Sequence, residues 1–379
     1  MLNDYVAWIR DLALPTWADR GFDADAGRFR ERLDHVGAPI AVPHRAMVQA
    51  RQIFVFAHAA ECGWSTEGTQ LAERAMASLE RDFAEHDGDE TSFAFSIDPA
   101  TRAIVSPVRD AYAHAFVLFS IAALYRLNGN DRLLELADRT VRFVERRLTD
   151  PLYGGLFDAL PAPGEKRQNP HMHLLEAYLF LERAAPGRGY VERAAGLVAL
   201  FRQHFVANER LLEYFAEDWS VSARAVWEPG HHFEWVWLLG EYAALSGEDT
   251  TRWADALYAS AIGQGLAGGL IVDEISAGDD AILKNSHRVW PHTEAIKAAA
   301  TRHAAGDADA HRFADAMAAG LIGTFLDRPF AGGWTDHVTA VGLPLVDYVP
   351  ASSLYHLVLA GSVAAKGFAA APTLAKAER

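Results

Sequence analysis

The chain has 379 residues, half of them apolar, which is enough to bury a large core in one big domain or two smaller ones. Its 35 basic and 50 acidic residues give a formal net charge of −15, which disfavours DNA or RNA as a partner because nucleic-acid binding needs a basic face. The single cysteine, Cys62, excludes an intramolecular disulfide and a thiolate metal cluster, as is typical of a cytoplasmic protein.

The first twenty residues lack the unbroken apolar stretch of a signal peptide, because Asp4, Arg10 and Asp11 interrupt it. The most apolar run, residues 115–125, is far shorter than a membrane span. We therefore expect a soluble cytoplasmic protein that does not associate with a membrane.

Apolar residues recur with helical spacing along much of the chain, and extended β patterning is scarce. The 16 prolines and 29 glycines cluster between the helical stretches. Residues 45–60, 111–127 and 231–245 are apolar nearly all round, which predicts buried helices. Residues 66–85, 131–147 and 190–205 are amphipathic, which predicts helices on the outside.

A loop pattern recurs six times. The segments that begin at Gly154, Gly268 and Gly332 each carry a Gly-Gly turn, a large apolar residue and then an acid. Weaker copies begin at residues 27, 92 and 211, so that the gaps between successive copies are 65, 62, 57, 57 and 64 residues. Six units with room for two helices each predict an all-α fold of the (α/α)6 barrel type, a toroid of six inner and six outer helices. A linear solenoid of helix pairs is the alternative.

No linker divides the chain, so we expect a single catalytic domain over residues 1–379, with an Ala-rich tail that frays from about residue 368. In a toroid the N-terminal ends of the inner helices converge on one mouth. One polar residue from each start falls in phase with the repeat, at spacings of 67, 61, 58, 63 and 62 residues: Arg45, Tyr112, His173, His231, Glu294 and His356. This periodicity predicts a polar site at the mouth.

Other polar residues near these starts have a structural interpretation. His171, His232 and His292 lie one or two positions from a site candidate and so point to another side of the helix, where they serve the core. Glu234 and Glu294 are also explained as first-turn acids that satisfy the helix dipole. An arginine at the start of a helix, such as Arg45, is unfavourable there and so indicates a polar or anionic ligand.

Two His-x-x-Glu pairs, His173 with Glu176 and His231 with Glu234, place both side chains on one helical face, which raises the question of a metal. Di-metal bundles use the order Glu-x-x-His with further glutamates, and the sequence offers no clear set of such ligands. We predict neither a metal nor a cofactor. No Gly-x-Gly-x-x-Gly or P-loop motif indicates a nucleotide site.

The starts of the inner helices carry a family resemblance. The motifs are His-Arg45-Ala-Met-Val-Gln-Ala-Arg-Gln, Asn-Pro-His-Met-His173-Leu-Leu-Glu-Ala, Pro-Gly-His231-x-x-Glu234-Trp, Trp290-Pro-x-Thr-Glu294-Ala and Tyr355-His356. In this order, over nearly the whole chain, they resemble the N-acylglucosamine 2-epimerase family, most closely its mannose isomerase and sulfoquinovose isomerase branch. The resemblance implies an (α/α)6 barrel and metal-free conversion at sugar carbons 1 and 2.

The resemblance also implies roles for individual residues. His231 and His356 match the proton-transferring pair of the family. The residues that match its substrate contacts are Arg45, Asn169, His173, Glu234, Trp290 and Glu294. Tyr112 and Arg224 match by position more than by motif. The partner is a small sugar, and the protein is expected to be a monomer or a homodimer.

These residue types suit the reaction. Interconverting an aldose and a ketose moves a proton from carbon 2 to carbon 1 through an enediol, and histidine is the side chain whose pKa suits that transfer. We expect His356 to take the carbon-2 proton, His231 to assist ring opening or act as the second acid and base, and Glu234 to orient His231. Arg45 is expected to stabilise the enediolate oxygen.

Three alternatives stay open at this point. Epimerisation at carbon 2 needs the same residue types as isomerisation. A glycoside hydrolase on the same toroid needs two acids that flank a cleft, whereas Glu294 is the only acid among the six in-phase residues. A non-catalytic helical scaffold would present an exposed concave surface instead of a polar pocket.

Overall fold

The computed structural model describes residues 1–368, so the tail predicted to fray from about residue 368 lies outside the described residues apart from Phe368. The described chain is mainly helical, and none of its helices is both long and apolar enough to span a membrane. The α-helices are α1 (Leu2–Trp8), α2 (Leu14–Asp19), α3 (Ala46–Glu61), α4 (Gly68–Phe83), α5 (Ala111–Asn128), α6 (Asp131–Phe143), α7 (Gln168–Ala184), α8 (Tyr190–Leu200), α9 (Pro229–Ser246), α10 (Thr251–Gln264), α11 (Val289–Ala304), α12 (Ala310–Gly320) and α13 (Leu354–Gly367).

Short irregular turns extend several of these helices. A π-helical turn, Ile9–Ala13, joins α1 to α2, and a 3₁₀ turn, Ala351–Ser353, precedes α13. Further π-helical turns continue three outer helices: Val144–Leu148 after α6, Phe201–Phe205 after α8 and Leu321–Phe325 after α12. With these turns included, the helices predicted over residues 131–147 and 190–205 end within one residue of the prediction.

Six helices form the inside of the molecule: α3, α5, α7, α9, α11 and α13. Each contacts the next along the chain, and α13 contacts α3, so the order of contacts is cyclic. Nearly every residue of α3, from Ala46 to Ala59, is buried, as the absence of an amphipathic pattern predicts. The predicted bounds of α3, α5 and α9 agree with the structure within two residues.

The other helices lie outside and are amphipathic. Helices α4, α6, α8, α10 and α12 each pack on the inner helix that precedes them. In α6, for example, Leu133 and Leu136 are buried whereas Arg132 and Glu135 are exposed. Helix α1 packs on α13, so the beginning of the chain supplies the outer partner of the last inner helix. This arrangement agrees with the predicted alternation of inner and outer helices.

The strands are all short, with two to four residues each. They are β1 (Phe22–Asp23), β2 (Arg28–Phe29), β3 (Arg32–Asp34), β4 (His44–Arg45), β5 (Ala84–Asp87), β6 (Glu90–Phe93), β7 (Ser96–Ile97), β8 (Ile104–Ser106), β9 (Arg109–Asp110), β10 (Ala159–Leu160), β11 (Lys166–Arg167), β12 (Val206–Ala207), β13 (Arg210–Leu211), β14 (Tyr214–Phe215), β15 (Val226–Trp227), β16 (Leu266–Ala267), β17 (Leu270–Ile271), β18 (Glu274–Ser276), β19 (Ile282–Lys284), β20 (His287–Arg288), β21 (His337–Val338) and β22 (Tyr348–Pro350). Because strands this short hold only one or two alternations, the sequence pattern does not reveal them.

The strands connect one repeat unit to the next. The antiparallel pairs β4–β7, β9–β10, β11–β14, β15–β18 and β20–β21 each join a strand just before an inner helix, or at its start, to a strand of the following unit. The pair β22–β3 joins the last unit to the first, with Val349 opposite Leu33. The strand pairs therefore follow the same cyclic order as the inner helices.

Four buried histidines tie these loops to the inner helices: His114, His171, His232 and His292. In each, Nδ1 donates to the backbone carbonyl four residues earlier, and Nε2 accepts from a loop N–H, that of Phe93, Leu156, Leu211 or Ile271. These partners fix a neutral ring, and burial lowers the pKa of His232 to about 3 and that of His292 to about 4. The structural interpretation of His171, His232 and His292 is confirmed. We call these four residues the clamp histidines.

Candidate active site

The polar residues at the starts of the inner helices meet in one network of contacts. The structure brings together eight of the residues predicted for the site: Tyr112, Asn169, His173, His231, Glu234, Trp290, Glu294 and His356. Within this network, three imidazoles are hydrogen-bonded through Nδ1 to a buried glutamate. These three pairs differ in what surrounds them.

The first pair is His231 with Glu213. His231 lies in the first turn of α9, which begins at Pro229, and its Nδ1 is 2.9 Å from each oxygen of Glu213. Burial opposes a charge on this ring, but the charge of Glu213 and its hydrogen bond outweigh burial and raise the pKa of His231 to about 9. His231 is therefore an imidazolium at neutral pH.

The other ring nitrogen of His231 faces Asn169. Nε2 lies 3.0 Å from the amide nitrogen of Asn169, and the amide oxygen has no hydrogen-bond partner among the described residues. The two ends of an amide are interchangeable in shape, and a cationic ring needs an acceptor at Nε2. Asn169 can therefore serve the imidazolium as an acceptor when its amide oxygen faces Nε2.

The second pair is His356 with Glu294. His356 lies in α13, and its Nδ1 is 2.8 Å from Oε1 of Glu294. Burial lowers the pKa of His356 well below its usual value, and the charges of Arg51 and Lys297 lower it further. The ring is therefore neutral, with its proton on Nδ1 towards the carboxylate and its lone pair on Nε2.

Trp290 contacts both of these histidines. Its ring centroid lies 4.9 Å from that of His231 and 5.5 Å from that of His356. A side chain at Gly230 would place its Cβ 2.6 Å from the Trp290 ring, so glycine is needed there for the indole to lie beside His231. The two imidazoles thus share one aromatic wall.

The third pair is His173 with Glu176, deeper in the site. Nδ1 of His173 is 3.0 Å from Oε2 of Glu176, which also accepts from the hydroxyl of Tyr355 at 2.7 Å. Glu234 lies 3.8 Å from His173 Nδ1, and neither of its buried oxygens accepts a hydrogen bond from a described residue. Burial raises the pKa of Glu234 well above its usual value, and the charge of Glu294 adds to the shift.

Arg51 is a residue of this network that the sequence analysis did not single out. It is buried, its guanidinium lies 4.1 Å from the ring of Phe116, and it donates to the hydroxyl of Tyr112 and, at 3.0 Å, to the carbonyl of Ser352. Arg51 lies six residues after Arg45 in the same family motif, and its presence in that motif could have indicated a role in the site.

Glu213 was also missed, and the partner expected for His231 was wrong. Glu213, and not Glu234, is the carboxylate bound to Nδ1 of His231. Helical spacing from His231 indicates Glu234, whereas Glu213 comes from a loop between β13 and β14 that is distant in sequence. The sequence marks Glu213 only as the acid of the recurring loop copy that begins at residue 211.

Two predicted residues lie outside the network. Arg45 is 37% exposed, pairs with Glu31 at 2.5 Å, and lines a groove of about 520 Å³ together with Arg32 and Ser352. Arg224 is 47% exposed, 2.7 Å from Glu274 and stacked at 4.1 Å on Tyr214. Both are therefore placed nearer the solvent than the paired histidines.

Three groups of side chains are close enough together to be considered for a metal ion: His173, Glu176 and Glu234; Glu213, Glu228 and His231; and Glu234, Glu294 and His356. In each group the histidine Nδ1 is already hydrogen-bonded to a glutamate. In the third, the Lys297 ammonium lies 2.6 Å from Glu294, where it would repel a cation. We interpret these groups as hydrogen-bonded pairs and assign no metal ligands.

The chain is similar to known proteins over most of its length. Residues 27–360 match the family model described as N-acylglucosamine 2-epimerase. A mannose-6-phosphate isomerase of Rhizobium meliloti is 31% identical over 94% of this chain and 95% of its own length. A D-mannose isomerase of Thermobifida fusca is 30% identical over 60% of each chain. The structure of a cellobiose 2-epimerase from Spirochaeta thermophila superimposes with a TM-score of 0.86, at 24% identity, over 97% of this chain and 96% of that one. The chain therefore belongs to the N-acylglucosamine 2-epimerase family and is a sugar isomerase or 2-epimerase.

Proposed function

We propose that the chain is a metal-independent aldose–ketose isomerase that converts a mannose-type sugar into the fructose-type ketose through an enediol. The observation that carries the proposal is a pair of imidazoles in opposite protonation states, His231 and His356, on the wall formed by Trp290. Enediol chemistry needs an acid and a base close to the same sugar carbons.

The architecture proposed for this activity is a closed barrel of helices. A single catalytic domain with a closed (α/α)6 barrel is supported by the cyclic contacts of the inner helices, by the pair β22–β3, and by the contact of α1 with α13. In such a barrel the inner helices begin at one mouth, which accounts for the convergence of five of the six in-phase residues from distant parts of the chain.

His356 is the proposed base. Glu294 holds the proton of the ring on Nδ1, so Nε2 is free to take the proton from carbon 2 of the open-chain aldose. The low pKa of this ring keeps it neutral, and therefore able to accept a proton, throughout the neutral range. Its burial, at 6% exposure, limits competition from water for that proton.

His231 is the proposed acid. During ring opening His231, whose pKa is raised to about 9, donates a proton to the ring oxygen and regains the proton that leaves the hydroxyl on carbon 1; it then donates to the carbonyl oxygen on carbon 1. As carbon 2 loses its proton to His356, oxygen 1 gains one from His231, which gives the neutral enediol. In the second half, the hydroxyl on carbon 2 returns its proton to His231, and His356 delivers a proton to carbon 1. Both histidines end as they began.

The remaining residues bind the sugar in this proposal. Arg51 and the hydroxyl of Tyr112 stabilise the oxygen on which charge develops. Glu234, whose oxygens have no partner among the described residues, accepts from sugar hydroxyls. The other proposed substrate contacts are Asn169, His173, Trp290 and, towards the solvent, Arg45 and Arg224.

Epimerisation at carbon 2 is the second candidate. It returns the proton to carbon 2 from the opposite face, and a protonated His231 facing His356 across the sugar supports that outcome as well. The names of the relatives support both reactions, since two are mannose-type isomerases and one is a cellobiose 2-epimerase. A hydrolase is less well supported, because three of the glutamates at the site, Glu176, Glu213 and Glu294, are hydrogen-bonded to imidazoles.

The deciding experiment is proton exchange followed by NMR. Mannose, glucose, mannose 6-phosphate and cellobiose are each incubated in D2O with chelator-treated protein. Isomerisation is expected to give the ketose with deuterium on carbon 1. An aldose epimer with deuterium on carbon 2 and no ketose would establish the epimerase instead. Absence of exchange with all four sugars would contradict both candidates.

A further inference from the structure

Lys297 is a fully buried lysine that the proposed reaction steps do not use. It lies in α11, three residues after Glu294, and its side chain is 0% exposed. Burial of an ammonium group is costly unless specific partners compensate it. We therefore expect Lys297 to set the ionisation of the groups that surround it. The inference below rests on the proposed function, because it concerns the base of that reaction.

The partners of Lys297 are one carboxylate and one aromatic ring. Nζ lies 2.6 Å from Oε2 of Glu294, an ion-pair contact, and 3.9 Å from the ring of Trp237. The other oxygen of Glu294, Oε1, accepts from Nδ1 of His356 at 2.8 Å. Glu294 therefore connects the ammonium to the imidazole, one oxygen for each.

Glu294 needs such a cation if it is to stay ionised. Glu176, Glu234 and Glu294 lie together near the bottom of the site, and burial raises the pKa of all three. Lys297 acts in the opposite direction on each of these carboxyl groups. A protonated Glu294 would no longer hold the proton of His356 on Nδ1, since it would itself have a proton to donate.

We propose that Lys297 is a positioning residue of the reaction: it holds Glu294 as a carboxylate, which fixes the proton of His356 on Nδ1 and keeps Nε2 available as the base. Lys297 does this without touching the sugar. Without the ammonium, the pair formed by Glu294 and His356 retains an extra proton at neutral pH, on one partner or the other. Either placement removes the free base.

Several other ionisable groups face His356 and shape the same equilibrium. From the helices packed on α13 they are Arg51 on α3, Tyr5 on α1, and Glu294 with Lys297 on α11; beyond these stand His173 and Glu176 on α7 and His231 with Glu234 on α9. The positive charges among them oppose protonation of His356, and the carboxylates favour it. Because Lys297 is the one lysine or arginine among the described residues that pairs with Glu294, its removal is the change that isolates the effect on this pair.

The test is the pH dependence of kcat/KM in Lys297→Met, which keeps the length and most of the volume of the side chain. The acidic limb of the profile is the pH range in which kcat/KM falls because the base becomes protonated. This limb is expected to move to higher pH by at least about one unit. At neutral pH, kcat is expected to fall about 10²-fold, with KM changed much less, because the sugar contacts remain.

Lys166 offers a matched control. It is also a buried lysine, 1% exposed, with Nζ 2.6 Å from Asp150 and 4.6 Å from the ring of Trp219, but it belongs to β11, outside the site. Lys166→Met is expected to lower the melting temperature and to leave the acidic limb where it is. A purely structural role for Lys297 would give the same result in both variants and would overturn the proposal.

Two further measurements keep the inference testable. Lys297→Arg retains the charge and is expected to retain the wild-type limb even if it is less stable; a limb displaced as in Lys297→Met would contradict the electrostatic role. If the wild-type protein shows no isomerase or epimerase activity, the proposed function fails, and ¹⁵N NMR of the His356 ring still decides the inference. An unchanged titration and tautomer in Lys297→Met would overturn it.

Discussion

The two histidine–glutamate pairs beside Trp290 are nearly alike in geometry and opposite in charge. Nδ1 is 2.9 Å from the carboxylate in His231–Glu213 and 2.8 Å in His356–Glu294, and both rings are 6% exposed. Yet the pKa of His231 is raised to about 9, whereas the pKa of His356 is lowered well below its usual value.

The difference comes from what else touches each carboxylate. Glu213 accepts from the neutral amide of Gln168 at 3.0 Å, so its full charge acts on His231. Glu294 is already paired with the ammonium of Lys297, and Arg51 adds a further positive charge near His356. A histidine–carboxylate contact therefore does not by itself determine whether the ring is an acid or a base; the next neighbour of the carboxylate does.

The largest expected effect comes from removing the base. His356→Asn eliminates Nε2 while keeping a polar side chain that can donate to Glu294, so kcat is expected to fall about 10³-fold. The melting temperature, followed by circular dichroism, is expected to stay close to that of the wild type. Near-normal turnover in this variant would exclude His356 from proton transfer.

Glu213→Gln tests the role of His231 as the acid of the reaction. The substitution keeps the shape of the side chain but removes the charge that raises the pKa of His231, so the basic limb of kcat/KM is expected to move from near pH 9 towards neutral pH. Activity above pH 8 is expected to fall about tenfold or more, and activity near pH 6 to change little. A basic limb that does not move would show that His231 is not the acid.

The neighbouring residue sharpens the contrast between a site histidine and a clamp histidine. His232→Ala removes the acceptor for the N–H of Leu211 and the donor to the carbonyl of Glu228, leaving both backbone groups inside the protein without this partner. We expect a loss of about 2 kcal/mol in the free energy of unfolding, measured by urea titration. Both limbs of the pH profile should stay in place at a temperature where the variant is folded; a displaced limb would assign His232 to the reaction.

The smallest effect is expected at the solvent-facing edge of the site, which we call the rim and where Arg224 lies. Arg224 is half exposed and contacts Tyr214 and Glu274 instead of the paired histidines, so Arg224→Ala is expected to change kcat/KM by less than about threefold for an uncharged sugar. A loss as large as that of Glu213→Gln would show that the rim closes over the sugar in a way that the free protein does not display.

Much of this could be predicted from the sequence because the fold is repetitive. Helical spacing identified three of the inner helices, α3, α5 and α9, within two residues, and the in-phase residues Tyr112, His173, His231, Glu294 and His356 do converge. The partners of these residues could not be predicted where they come from loops. Glu213 reaches His231 from a loop outside the helical period, so helical spacing indicated Glu234 instead, which shares a helix face with His231.

Arg51 and Lys297 show the other reason for an incomplete prediction. Both lie inside inner helices at positions out of phase with the residues that recur at the helix starts, and their importance depends on which buried carboxylates and rings surround them. The strand pairs that join the units were missed for a third reason: two-residue strands carry no periodic signal.

The most direct test of the opposite protonation of the two rings is ¹⁵N NMR of the histidine side chains in the wild-type protein, with His231→Asn and His356→Asn used for assignment. We expect His231 to stay doubly protonated until the pH approaches 9, while His356 stays neutral, with its proton on Nδ1, at neutral pH and at pH values well below the usual pKa of a histidine. If both rings titrated together near pH 6.5, or if His356 carried the charge at neutral pH, the assignment of acid and base would be contradicted.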